Sequence, residues 1–211
     1  MEKIYLISGM GADERIFRYL QFTKYEKSTI KWLAPLKNES LTDYCKRLLP
    51  QIDSPNPIIA GLSFGGIVTN EISKLVPVKQ VILISSVRSW HELPWYYRLA
   101  GKLGLHKIVP WGISPRSAAI MKGMFHLKEK EHLKLLVDMS KDCPPAFMAW
   151  IANAVVKWKC EPIPGAKQIH GTRDTVFPLR FIKHPDKVLE GGSHVMLIQK
   201  AKEVSEFIDS I

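Results

Sequence analysis

Gly61-Leu62-Ser63-Phe64-Gly65-Gly66 is the stretch on which the reading of this chain turns. The apolar run Pro57-Ile58-Ile59-Ala60 leads into it, and an apolar-periodic segment over 67–75 follows it. A G-x-S-x-G segment between a buried strand and a helix predicts a sharp, strained turn that lifts the serine hydroxyl above the end of a sheet. The glycines flanking the serine are needed because a Cβ there would meet the neighbouring strand or helix.

The same rhythm extends to either side. Residues 3–7 form an apolar run that ends at Gly9 and Gly11, the pattern of a buried strand entering a turn. Asp13 is placed to cap a helix carrying Ile16, Phe17 and Leu20 on one face. Ile30-Lys31-Trp32-Leu33, stopped by Pro35, predicts a second strand, and Ser40 a cap for a helix burying Leu41, Tyr44, Cys45, Leu48 and Leu49. Val81-Ile82-Leu83-Ile84-Ser85 is a fourth strand. Continuous apolar strands alternating with helices predict an α/β protein with a mostly parallel sheet covered on both faces.

Between 88 and 165 the rhythm changes. Segments over 94–103, 114–125, 128–139 and 145–158 read as helices with no strand between them. Five of the six tryptophans fall here, and lysine and arginine outnumber aspartate and glutamate twelve to six. The strand pattern resumes at 167–170 and 187–189, and an amphipathic helix runs from about Val195 through Phe207. The expected organisation is a core of 1–87 and 166–211 interrupted by a helical lid, or cap, over 88–165.

Composition bounds the function. The chain has 211 residues, 46% hydrophobic and 24% charged, as expected of one globular domain. The net charge of +10 is dispersed, with no run of five basic residues and no nucleic-acid motif, so no nucleic-acid partner is expected. No apolar stretch reaches the length of a membrane span, and the first residues lack a secretory leader's apolar run. Three widely spaced cysteines, Cys45, Cys143 and Cys160, show no metal or redox spacing and suit a reducing cytoplasm.

Serine is a weak nucleophile until a base, oriented by a carboxylate, takes its proton. Asp174 in His170-Gly171-Thr172-Arg173-Asp174 and His194 in Gly191-Gly192-Ser193-His194 each follow a predicted strand, so both fall at the carboxyl rim of the sheet with Ser63. Serine, acid, histidine is the chain order of one hydrolase class and differs from both well-known protease orders. Glu92 is a weaker competing acid after the fourth strand, and His170 reads as a packing and hydrogen-bonding residue. Trp90, Trp95, Met124, Phe125 and Trp150 are candidates to line an apolar substrate pocket over Ser63, against the alternative that they are ordinary core.

Over nearly its whole length the sequence resembles the α/β-hydrolase fold superfamily. Gly61-Leu62-Ser63-Phe64-Gly65-Gly66 looks like its nucleophile elbow, the Asp174 and His194 loops like its acid and histidine loops, and Ser8-Gly9-Met10-Gly11 like its oxyanion loop. The resemblance implies a catalytic triad of Ser63, Asp174 and His194, with backbone N–H groups of Met10 and Phe64 forming an oxyanion hole. It also implies no metal or organic cofactor. A serine nucleophile disfavours the dehalogenase and epoxide-hydrolase chemistries that related families run through a carboxylate. Two departures stand out: Ser8 occupies a position where many members carry histidine, and the family's first antiparallel strands are expected to be missing. The implied activity is that of a carboxylesterase-like serine hydrolase acting on a small ester, with a thioester second. Acyl transfer or C–C cleavage by the same triad, and a non-catalytic ligand-binding protein, are the alternatives.

Overall fold

The computed structural model describes residues 1–109, 111 and 115–211, without the side chains of Pro115 and Arg116. Six strands form one sheet: β1 (Glu2–Ile7), β2 (Tyr25–Ile30), β3 (Ile58–Leu62), β4 (Gln80–Ile84), β5 (Lys167–Gly171) and β6 (Lys187–Leu189). Their order is β2-β1-β3-β4-β5-β6 and every pairing is parallel. The chain passes from β1 outward to β2 and returns to lay β3 on the other side of β1. Loops leaving β1 and β3 therefore diverge at a topological switch point, where an open parallel sheet forms its crevice.

Strand alternation sorts the core into two layers. Ile4, Leu6, Ile82 and Ile84 pack with Ile16, Phe17 and Leu20 and with the carboxyl-terminal helices α7 (Met196–Gln199) and α8 (Ala201–Asp209). Tyr5, Ile7 and Ile59 point the other way, toward α1 (Leu41–Leu48) and α2 (Phe64–Leu75). Ser40 caps α1 as expected, its Oγ accepting the Asp43 N–H at 3.1 Å. Between β4 and β5 lie four helices, α3 (Trp95–Lys102), α4 (Pro115–Met124), α5 (Lys130–Asp142) and α6 (Pro145–Lys157), with no described strand among them.

Several local expectations need correcting. The second strand is Tyr25–Ile30, not 30–33. As an edge strand it buries only Tyr25 and Ile30, so no apolar run marks it; Trp32 and Leu33 leave the sheet and pack into the aromatic core beside it. Asp13 caps a single 3-10 turn, Glu14–Phe17, rather than a longer helix. Helix α2 starts at Phe64, three residues before its first aliphatic residue, because Gly65 and Gly66 form its crowded first turn. The terminal helix is divided at Lys200, whose extended φ of −136° interrupts it. Ser114, expected to open a helix, lies outside the described residues, and α4 begins at Pro115.

Candidate active site

Ser63 sits between β3 and α2 with φ 53° and ψ −119°, a conformation that L-residues adopt only when their surroundings impose it. The surroundings are visible at the flanking glycines. A Cβ on Gly61 would fall on the backbone of Gly65, and one on Gly65 would fall on the carbonyls of Ile7 and Ser8. The turn is pinned further by the Ser63 N–H donating to the Ile84 carbonyl at 3.0 Å and by the Ser86 hydroxyl donating to the Ser63 carbonyl at 2.7 Å. The only local mark of Ser86 in the sequence is a small hydroxyl residue just past the strand beside the turn.

The three side chains expected at the rim converge. His194 Nε2 lies 2.7 Å from Ser63 Oγ, and His194 Nδ1 lies 2.8 Å from Asp174 Oδ2. A carboxylate only accepts, so Nδ1–H donates to Asp174 and the bare Nε2 accepts the Ser63 hydroxyl proton. The other oxygen of Asp174 accepts the backbone N–H groups of Val176 and Phe177, both at 2.9 Å, which fixes the carboxylate plane. The His194 ring is held between Phe125, stacked at 6.1 Å between centroids, and Phe177, edge-on at 5.6 Å. Gly171 allows this meeting: a Cβ there would fall on the Gly192 carbonyl, so the acid and histidine loops touch backbone to backbone.

His170 lies fully buried beneath the acid. Its Nε2–H donates to the Phe177 carbonyl at 2.7 Å and stands 3.4 Å from Asp174 Oδ2, while its Nδ1 has no hydrogen-bond partner among the described residues. Burial pushes its pKa below the ordinary histidine value, against the opposing pull of Asp174. Glu92 serves elsewhere: its carboxylate accepts the N–H groups of Arg88 and Lys183 and the Gln168 amide, stapling the segment after β4 to β5.

The loop after β1 comes against Ser63, with a Cβ built on Gly9 lying 3.3 Å from the Ser63 Cβ. Ser8 keeps this loop internally bonded, its hydroxyl donating to the Ala12 carbonyl at 2.8 Å. Trp32 Nε1 donates to the same carbonyl at 3.1 Å, and Ser140 of α5 donates to the Gly11 carbonyl at 3.2 Å. Met10 is on this loop, and Phe64 is the first residue of α2, where leading N–H groups have no intrahelical acceptor. A hollow of about 430 Å³ lies against the same loop, walled by Ala12, Trp32, Met139, Cys143 and Phe147.

The aromatic candidates from the helical stretch separate. Phe125 meets His194, and Trp150 meets the Phe64 ring at 6.3 Å and Tyr44 at 4.5 Å. Met124 reaches the rim through its backbone, its carbonyl accepting the Thr175 hydroxyl at 2.8 Å. Trp90 instead donates to Glu161 and lies under Arg98, and Trp95 is 58% exposed with its ring against Tyr96. Trp90 lies before α3, half-buried against the core, and Trp95 faces outward because α3 turns other residues, Tyr97 and Gly101, toward the protein. Gln199 also escaped notice in the sequence; its amide donates to the carbonyls of Phe125 and His126 and its oxygen accepts from Ser193, beside His194. Among the described residues no group of three or more His, Cys, Asp or Glu side chains is placed to hold a metal ion, and no helix is long and apolar enough to cross a membrane.

A parallel sheet of this order, with a serine on a strained turn after β3 and acid and histidine loops after the last two strands, is the α/β-hydrolase fold, and this chain has it. Solved structures agree over whole chains. An esterase from Exiguobacterium antarcticum superposes with a TM-score of 0.73 at 16% identity, covering 100% of this chain and 91% of that one. A lipase-esterase related protein from Clostridium acetobutylicum gives 0.71 at 15% identity, covering 99% and 93%. A bromoperoxidase from Bacillus anthracis gives 0.70 at 16% identity, covering 99% and 91%. No protein-family model and no curated protein matches the sequence.

Proposed function

We propose that this protein is a serine hydrolase that cleaves a small carboxylic ester through an acyl-enzyme on Ser63. The observation that carries the reading is the unbroken chain of contacts from Ser63 Oγ through His194 to Asp174, at 2.7 and 2.8 Å. Ser63 Oγ attacks the acyl carbon while His194 Nε2 takes its proton, and Asp174 stabilises the imidazolium. The backbone N–H groups of Met10 and Phe64 receive the oxyanion, each such donor lowering the barrier by roughly 3 kcal/mol. Collapse expels the alcohol, protonated by His194, and a water deprotonated by the same nitrogen then releases the acid.

The helical stretch 88–165 acts in this reading as a lid on a core formed by 1–87 and 166–211. Ser63 is only 9% exposed, and in this reading the substrate enters past Phe125, against His194, and Trp150, against Phe64. A thioester fits the same machinery, and the likeness in fold to esterases favours the oxygen ester. Three unpaired thiols fit a reducing cytoplasm.

The test is covalent labelling of folded protein by a fluorophosphonate probe, with p-nitrophenyl acetate and butyrate as substrates. Labelling and turnover are expected in the wild type and in neither Ser63→Ala nor His194→Ala. Turnover equal in all three proteins overturns the reading and leaves a ligand-binding protein.

A further inference from the structure

Helix α3 is amphipathic the wrong way round for a core element. Tyr97 and Gly101, one turn apart, face the protein: the Tyr97 hydroxyl donates to the Val176 carbonyl at 3.1 Å, and a Cβ on Gly101 would lie 2.7 Å from the Val156 Cβ of α6. The opposite face, at i, i+4 and i+8, carries Trp95, Leu99 and Leu103, which are 58%, 45% and 63% exposed. The chain continues through Leu105, Ile108 and Val109, also exposed. Seven of the ten large apolar side chains exposed among the described residues belong to α3, the turn after it, and α4. Such a concentration marks an interaction surface rather than scattered surface apolarity.

Along the chain the charge here has one sign. No aspartate or glutamate occurs between Leu93 and Lys128, while Arg98, Lys102, Lys107, Arg116, Lys122 and Lys128 do. Lys102 shares the outer face of α3, Lys107 follows in the turn, and both are exposed with no ion pair among the described residues. A protein partner would need to match an apolar stripe with cations set inside it. A bilayer containing anionic lipids supplies both parts at once, acyl chains for Trp95, Leu99 and Leu103 and headgroup charge for the lysines. Tryptophan at the boundary fits the same environment.

We propose that the outer face of α3 and the turn through Val109 is a docking surface for an anionic lipid bilayer, holding the protein peripherally. The inference does not rest on the chemistry assigned to Ser63. Its test is flotation of the full chain with vesicles of phosphatidylcholine alone and of phosphatidylcholine mixed with phosphatidylglycerol. The expected result is flotation with the mixed vesicles only, weakened by added salt. Lys102→Gln/Lys107→Gln should lower the partition coefficient about twenty-five-fold, roughly fivefold for each charge removed. Leu99→Ser/Leu103→Ser should lower it by about tenfold or more while leaving ester turnover in vesicle-free buffer unchanged. Ser63→Ala should float like the wild type. Failure of the wild type to float with mixed vesicles overturns the proposal, as does flotation of both double variants equal to that of the wild type. So does a wild-type dimer, seen by sedimentation, that Leu99→Ser/Leu103→Ser dissociates while neither protein binds vesicles.

Discussion

The carboxyl rim of the sheet and the helices between β4 and β5 are held by different kinds of contact. At the rim, backbone touches backbone: Gly61 against Gly65, Gly65 against the Ile7 and Ser8 carbonyls, Gly171 against Gly192. No side chain there can rotate to relieve a change, so positions are set to fractions of an ångström. The helical stretch is attached mainly through side chains, by Thr175 to the Met124 carbonyl, Tyr97 to Val176, Gln199 to Phe125 and Trp150 to the Glu39 carbonyl at 3.2 Å. Each such bond contributes about 1 kcal/mol. The rim fixes geometry through its backbone, and the helical stretch is joined to it through side chains.

The largest expected effect tests the rim. Asp174→Asn keeps an acceptor for the Val176 and Phe177 N–H groups but offers His194 Nδ1 a donor, so the ring proton moves to Nε2 and Ser63 loses its base. Ester turnover should fall about 10⁴-fold with the urea midpoint little changed. A loss of under tenfold would mean that the rim's geometry does not govern chemistry.

Two glycines compare the regions directly. Gly65→Ala should destabilise the fold by about 4 kcal/mol in urea, because the new Cβ meets two carbonyls that cannot retreat. Gly123→Ala in α4, where the new Cβ meets nothing within 4 Å, should be neutral or stabilise by up to about 1 kcal/mol through helix propensity. Equal costs at the two sites would remove the contrast.

His170 gives the next effect in size. Burial holds its pKa below 6.5 in the native state, so the unfolded chain takes up a proton first as the pH falls. The native state carries no penalty above pH 6.5 and loses stability below it, by at most roughly 1.4 kcal/mol per pH unit. His170→Gln should flatten that slope in urea midpoints measured across mildly acidic pH. An unchanged slope would show that His170 titrates alike in the folded and unfolded chains.

The smallest effect belongs to the attachment of the helices. Thr175→Val removes the bond to Met124 and should weaken amide-exchange protection after α4 by about fivefold, with global stability changed by about 1 kcal/mol or less. A global loss of several kcal/mol would place this tether within the rim's rigid frame.

Legibility in the sequence followed the same division. Strands β1, β3 and β4 carry unbroken buried apolar runs, Ile4 to Ile7, Ile58 to Leu62 and Val81 to Ile84, so composition alone marks them. Strand β2 buries two residues of six and could not be seen that way. Ser63, Asp174 and His194 were readable because each follows a strand and glycine punctuates each turn. Ser86, Phe177 and Gln199 were not, since a residue that acts by touching another element leaves no local pattern. Composition does not distinguish Trp90 and Trp95 from Phe125 and Trp150; the contacts of Trp90 with Glu161 and Arg98 and the orientation of α3 do.

The sequence by itself determined the parallel α/β architecture, the strained serine turn and the order of the three side chains, because these depend on local periodicity and on where glycine is sterically required. The tertiary structure decided which residues brace that turn, how Ser8 closes its loop, and that the apolar face of α3 looks outward. Those outcomes depend on which surfaces meet across long sequence separations, and no one-dimensional pattern encodes the direction in which a helix is rotated when it docks.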